Sequence, residues 1–98
     1  MRPIPQLVGF TADADIYCPA CAARLYGPDS PERRDREGNL IHPLFSDSEW
    51  DTPQHCRACG RFLPVRLTRD GYDYVREQGP RVPAEWRKAY PEAFRPRR

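Results

Sequence analysis

Apolar and polar positions alternate in the first part of the chain. Over residues 8–18 the even positions are apolar and the odd positions are mostly polar or glycine, the period of a half-buried strand. Residues 12–15 are poor strand sequence, so a hairpin that breaks there is the alternative to one continuous strand. Residues 22–26 then predict a short helical turn that Gly27 and Pro28 end.

The middle of the chain changes from polar to apolar and back. Residues 27–39 contain no large apolar side chain and predict a solvated loop, with a partner-binding loop as the alternative. Residues 40–45 predict a short strand. Ser46 and Glu49 fit a capping box, which predicts one turn of helix.

The last third reads as a strand followed by helices. Apolar residues at 63, 65 and 67 alternate with polar ones and predict a strand, which Pro64 places at an edge or bulge. Thr68 is a good N-cap for a helix over residues 69–78. A second helix is expected from Pro83, broken at Pro91 because proline removes a helical hydrogen bond.

This second helix carries an amphipathic stripe. We expect the stripe to be core, with a docking face as the alternative and a platform for stacking bases as a weaker one. Its members are Trp86, Ala89, Tyr90, Ala93 and Phe94. A basic tail, residues 95–98, follows.

Composition shows that a small apolar core needs support. The chain has 98 residues, the size of one domain, and its 39% apolar content is below the typical ~45–50%. No apolar run approaches the ~18 residues of a membrane span, and the first 17 residues lack the apolar segment of a secretory signal. We therefore expect a cytoplasmic protein in a reducing environment, with no membrane partner.

Four cysteines supply the candidate support. Cys18 and Cys21 form one C-x2-C pair, and Cys56 and Cys59 form another. Two such knuckles provide the four thiolates of a closed tetrahedral zinc site, which leaves no position for a catalytic water and is therefore structural. Iron, two disulfides or free thiols are the alternatives. His55 could replace a ligand or hydrogen-bond a thiolate.

The paired knuckles resemble the zinc-ribbon and treble-clef group over about residues 7–67. Residues 47–59 (DSEWDTPQHCRAC), with Leu67-Thr68 and residues 71–75 (GYDYV), are similar to small uncharacterised zinc-knuckle proteins of bacteria, archaea and phages. The resemblance implies a small α+β fold: zinc-ribbon-like antiparallel β hairpins around one four-cysteine metal site, with one or two C-terminal helices. We expect a zinc-knuckle domain over residues 1–78, with the loop insert at about 27–39, and a C-terminal amphipathic helix and basic tail over 79–98.

Charge distribution separates the functional hypotheses. The net charge is only +2, but residues 1–50 sum to −3 and residues 51–98 to +5. We expect a non-enzymatic protein-interaction module, such as a phage-encoded effector or a small assembly subunit. The alternative is a zinc-finger-like ribbon that binds nucleic acid through arginines of its second half. No motif of a hydrolase, nucleotide-binding enzyme or deaminase is present. The candidate contacts for either partner are Arg57, Arg61, Arg66, Arg69, Trp50 and Trp86.

Overall fold

The computed structural model of the protein describes residues 4–95. The strands and helices are short, and most strand pairs are antiparallel, which confirms the small α+β architecture. The strands are β1 (Leu7–Ala12), β2 (Asp15–Tyr17), β3 (His42–Phe45), β4 (Glu49–Trp50), β5 (Gln54–His55), β6 (Phe62–Leu63) and β7 (Arg66–Leu67). The helices are α1 (Pro19–Tyr26), α2 (Arg69–Glu77) and α3 (Ala84–Ala89), with 3-10 turns at Gly79–Arg81 and Pro91–Phe94.

The main sheet has the order β2-β1-β3, and both of its strand pairs are antiparallel. The break in the first strand is a tight turn in which Asp13 (φ 50°) and Ala14 (φ 59°) lie in the left-handed region. Turns with two such residues match the right-handed twist of a hairpin. The hairpin directs β2 toward the first cysteine pair.

Helix α1 begins three residues earlier than the sequence pattern predicted. Cys18 is its N-cap, with the Sγ atom accepting a hydrogen bond from the Cys21 N–H, and Pro19 occupies the first turn. Proline is favourable there because its missing N–H would have no helical partner. The helix ends at Tyr26, and Gly27 (φ 87°) follows.

The helical turn predicted at Ser46 is wrong. The Ser46 hydroxyl accepts a hydrogen bond from the Gln6 N–H, and the Ser46 N–H donates to the Gln6 carbonyl, so this residue ties down the start of β1 instead of capping a helix. Glu49 and Trp50 form β4, which pairs in parallel with β7. Tertiary pairing has outweighed the local capping signal.

The loop of residues 27–39 is more ordered than a plain solvated loop. Arg33 is 7% exposed, donates to the Gly27 carbonyl and lies 4.6 Å from the Phe10 ring centre. Asp35 accepts hydrogen bonds from three backbone N–H groups, one of them from Asp13 in the hairpin turn. These N–H groups, the one of Asp13 foremost, lower the pKa of Asp35 against the opposing effect of burial.

The expected strand at 63–67 is split into β6 and β7. All three predicted core residues, Leu63, Val65 and Leu67, are buried. Between the two strands, the Val65 N–H bonds the Leu63 carbonyl in a tight turn. Pro64 stands inside that turn, consistent with the irregularity expected of it.

The helices at the C-terminal end follow the sequence pattern closely. Thr68 caps α2, its hydroxyl accepting from the Gly71 N–H, and α3 stops at Ala89 before the 3-10 turn that begins at Pro91. The stripe packs inward in part: Tyr90 and Ala93 are buried. Ala89, in contrast, is exposed.

Through these buried residues, the segment of residues 79–95 packs against α2. Tyr90 and Ala93 form one buried cluster with Leu67 and Val75. The Tyr90 hydroxyl donates to the buried carbonyl of Val65. The stripe is therefore core at Tyr90 and Ala93, as expected. Residues 96–98, most of the basic tail, lie outside the described residues.

Candidate metal centre

The first cysteine pair is positioned where β2 meets α1. Cys18 ends the extended segment and Cys21 lies in the first turn of the helix, so that both sulfurs face the same side. The Cys21 N–H to Cys18 Sγ distance is 3.4 Å, and the Arg24 guanidinium lies 3.5 Å from the Cys21 sulfur. Each sulfur of the pair therefore has a hydrogen-bond donor beside it.

The second pair lies in the turn between β5 and β6. The Cys56 N–H bonds the Arg61 carbonyl and the Gly60 N–H bonds the Cys56 carbonyl, which closes the turn. Gly60 has φ 77°, a conformation that glycine adopts without strain. The Arg57 N–H bonds the Ile16 carbonyl at 2.8 Å and so holds this turn beside β2.

These contacts bring all four cysteines together. The Sγ atoms of Cys18, Cys21, Cys56 and Cys59 all lie within 4.8 Å of one another, and the Cys18 and Cys59 sulfurs are 3.8 Å apart. In a tetrahedral site with metal–sulfur bonds of ~2.3 Å, neighbouring sulfurs are about 3.8 Å apart. A disulfide requires ~2.05 Å, and the four cysteines are free. The cluster could therefore hold one metal ion.

The protonation equilibria of the cysteines are uneven when no metal is bound. A hydrogen bond with Cys18, followed by burial, raises the pKa of Cys21 to about 12. Burial alone would raise the pKa of Cys56, but backbone N–H groups, led by that of Cys18, outweigh it and lower the pKa to about 6. Crowded thiols do not all ionise without a compensating charge, so a bound cation would complete the site electrostatically.

His55 is not among the clustered donors. Its Nδ1 atom lies 3.1 Å from the Gly60 carbonyl, and its Nε2 atom lies 3.0 Å from Nε1 of Trp86. Because the indole N–H only donates, Nε2 is the acceptor and Nδ1 carries the proton that bonds Gly60. Both ring nitrogens of His55 therefore bond groups other than the cysteine sulfurs. His55 stabilises the turn that carries Cys56 and Cys59 through Gly60, and it links that turn to α3 through Trp86.

The two tryptophans occupy different surroundings. Trp50 packs, half-buried, against the core cluster that contains Cys18, Cys21 and Cys56. It also lines an open groove of about 720 Å³ together with Asp15, Arg34, His42 and Gln54. Trp86 packs on the rings of His55 and Tyr74. Both are partly exposed, so a partner could reach them.

The four candidate arginines do not form one patch. All are exposed, but Arg57 is paired with Asp15, with 3.4 Å between Nε and the carboxylate. Within residues 4–95 we find no ion pair for Arg61, Arg66 or Arg69. Arg61 and Arg66 line separate grooves.

The structure shows a surface that the sequence pattern did not indicate. A groove of about 410 Å³ lies directly beside the cysteines, and we call it the metal-side groove. Its lining includes Leu7, Cys18, Pro19, Arg61, Phe62 and Pro64. The strand pattern had marked Val8 and Leu63 as core. The pattern did not indicate that Leu7 and Pro64, which are exposed neighbours of that core and 57 residues apart in sequence, would line the same groove.

No family model, curated protein or solved structure matches this chain. Within residues 4–95 no helix is long and apolar enough to cross a membrane.

Proposed function

We propose that the four cysteines hold one structural Zn²⁺ in a zinc-ribbon-like or treble-clef-like domain. The observation that carries this is the set of four sulfurs within 4.8 Å, at a spacing that fits tetrahedral thiolate coordination. Four protein ligands leave no open position for substrate or water, so the proposed role is not catalytic. Reduced thiols imply a reducing setting such as the cytoplasm.

Metal analysis of the purified chain tests this assignment. If the metal is zinc, we expect one equivalent of zinc per chain and a colourless protein. Iron held by four thiolates would give a coloured protein. Substitution with Co²⁺ should give the visible absorption of a tetrahedral thiolate complex. A stoichiometry near zero after expression with added zinc would contradict the proposal.

We propose that the domain acts as a protein-interaction module, and that its contact surface includes the metal-side groove. Leu7 is 43% exposed although it begins a core strand, and its cross-strand partner Phe45 is 41% exposed. Exposed apolar side chains beside a groove are typical of interaction sites. Arg61 at the edge of the groove favours a partner with an acidic group near its apolar side chain.

Affinity capture with matched variants tests the surface. Leu7→Asp changes the groove, whereas Leu25→Asp changes a residue of similar exposure on α1. We expect a partner retained by the wild type and by Leu25→Asp, but bound at least about tenfold more weakly by Leu7→Asp. Each variant must first contain one zinc, which shows that it has folded. Identical captured proteins for all three chains would contradict the use of this groove.

Nucleic-acid binding is the second candidate function, and one observation favours it. Arg61, Arg66 and Arg69 are exposed and have no ion-pair partner among the described residues, so they are available to phosphates. If all three contact phosphates, the logarithm of the affinity should fall with the logarithm of salt concentration with a slope of about −2 to −3. Fluorescence anisotropy with duplex DNA, single-stranded DNA and RNA measures this. No binding at low salt would exclude it.

A further inference from the structure

The four cysteines differ sharply in their access to solvent. Cys18, Cys21 and Cys56 are between 2% and 4% exposed, but Cys59 is an exposed residue. Cys59 lies at the outer end of the second turn, next to the exposed Gly60. A soluble oxidant or electrophile would therefore meet the sulfur of Cys59 first.

The hydrogen-bond donors around the sulfurs differ in the same way. Cys18 accepts from the Cys21 N–H, and Cys21 accepts from the Arg24 guanidinium. Among the hydrogen bonds within residues 4–95, no N–H group donates to Cys59. Donors withdraw electron density from a thiolate, so the sulfur of Cys59 is more nucleophilic than those of Cys18 and Cys21.

A second sulfur is in position to react with an oxidised Cys59. The Sγ atom of Cys18 lies 3.8 Å away, in the other knuckle. We propose that Cys59 is a site of oxidation by hydroperoxides, and that it then forms a disulfide with Cys18, releasing the metal. This regulation rests on the proposed zinc site.

The chemistry balances with the peroxide as the oxidant. The Cys59 thiolate attacks one oxygen of H₂O₂, the O–O bond breaks, hydroxide leaves, and Cys59 becomes a sulfenic acid. The Cys18 thiolate then attacks the Cys59 sulfur, an S–S bond forms, and a second hydroxide leaves. In total, two thiolates lose two electrons, H₂O₂ gains them, and two protons convert both hydroxides to water. The metal keeps only two of its four ligands.

Formation of this disulfide and release of the metal would also change the metal-side groove. Cys18 is both the N-cap of α1 and part of the lining of the metal-side groove, beside Pro19. Moving its sulfur toward Cys59 removes the cap hydrogen bond from the Cys21 N–H. Oxidation would therefore alter the groove and the metal centre together, and reduction with zinc present would restore both.

Peptide mapping of the zinc-loaded full chain tests the proposal. After H₂O₂ treatment and alkylation of the remaining thiols, trypsin cleaves at Arg57 and so separates Cys56 from Cys59. We expect the first disulfide to join Cys59 to Cys18, with one zinc released per disulfide to a chromogenic chelator. A first disulfide within either C-x2-C pair, or equal oxidation of all four thiols, would overturn the proposal.

Two matched variants extend the test. Cys59→His and Cys56→His each leave three thiolates and one imidazole, a ligand set that holds zinc in proteins. We expect peroxide to release zinc at least about tenfold more slowly from Cys59→His than from Cys56→His, because only the former lacks the exposed thiolate. Equal rates would contradict the role of Cys59. If the variants do not hold zinc, the wild-type disulfide map decides. A wild-type chain that contains no zinc before peroxide is added would instead contradict the proposed function.

Discussion

The hydroxyl of Tyr90 links the C-terminal segment to the rest of the domain, and its removal is a sharp test of that packing. Tyr90 is 4% exposed, and its hydroxyl donates to the carbonyl of Val65, itself 3% exposed. Tyr90→Phe keeps the edge-to-face ring contacts with Phe62 and Tyr72 but leaves a buried carbonyl without its donor. Such an unpaired group costs about 1–3 kcal/mol of unfolding free energy.

Urea unfolding followed by circular dichroism, at a fixed zinc concentration, measures this cost. The midpoint should fall by about 1 M urea, given slopes of about 1–3 kcal/mol per M for small proteins. Tyr74→Phe is the control, because Tyr74 is 37% exposed and should change stability by less than about 0.5 kcal/mol. Equal stability of Tyr90→Phe and wild type would refute the docking of the C-terminal segment through this bond.

The stabilities of the wild type and of Tyr90→Phe should depend differently on alkaline pH. Burial, and then the charge of Tyr72, raises the pKa of Tyr90 from 10.0 to about 12. Between these values Tyr90 ionises in the unfolded chain but stays neutral in the folded one, so its contribution to stability is lost as pH rises. The stability difference between wild type and Tyr90→Phe should therefore shrink from pH 10 to 12. A constant difference would contradict this explanation.

Three further substitutions probe other contacts, each measured by the same urea unfolding assay. Gly71→Ala should cost about 1–3 kcal/mol, because a Cβ atom there would meet the Trp50 carbonyl oxygen at 2.8 Å; an unchanged midpoint would contradict this close packing. Asp35→Asn should lower stability at pH 7. The pKa of Asp35 is lowered in the fold, so the wild type should lose this advantage as pH falls below about 4, and a difference that persists at low pH would refute the role of its charge. Arg33→Met should change stability by less than about 1 kcal/mol. It removes the hydrogen bond to Gly27 and the 3.7 Å ion pair with the exposed Asp29, but it also removes two buried nitrogens, Nε and Nη2, that have no hydrogen-bond partner. A loss of about 3 kcal/mol or more would show that the charge is essential.

Features encoded within a few residues of sequence were predictable. The two C-x2-C pairs indicated one cluster, the weak strand sequence at 12–15 indicated the hairpin turn, and Thr68 and Pro91 marked where helices begin and break. The turn and the helix ends depend on local backbone preference or on the geometry of one side chain. The cluster follows because one metal ion needs four ligands and each pair supplies two.

Features that depend on distant residues were not predictable. Ser46 fitted a helix cap but bonds Gln6, 40 residues away, and Trp50 joins a parallel strand pair with Leu67. Arg33 stood in a polar loop, and only the position of Phe10 beneath it shows why it is buried. The different exposures of the four cysteines likewise follow from how the two knuckles meet.

The central claim is that four thiolates hold one zinc ion, and high-resolution native mass spectrometry of the full chain tests it most directly. The method gives the identity and stoichiometry of the metal and separates reduced from disulfide-bonded chains in one spectrum. The proposed site predicts the mass of the fully reduced chain plus one zinc and minus two protons, because one Zn²⁺ ion replaces two protons at a given charge state. A folded chain without metal, whether at the fully reduced mass or four hydrogens lighter as two disulfides would make it, would contradict the claim.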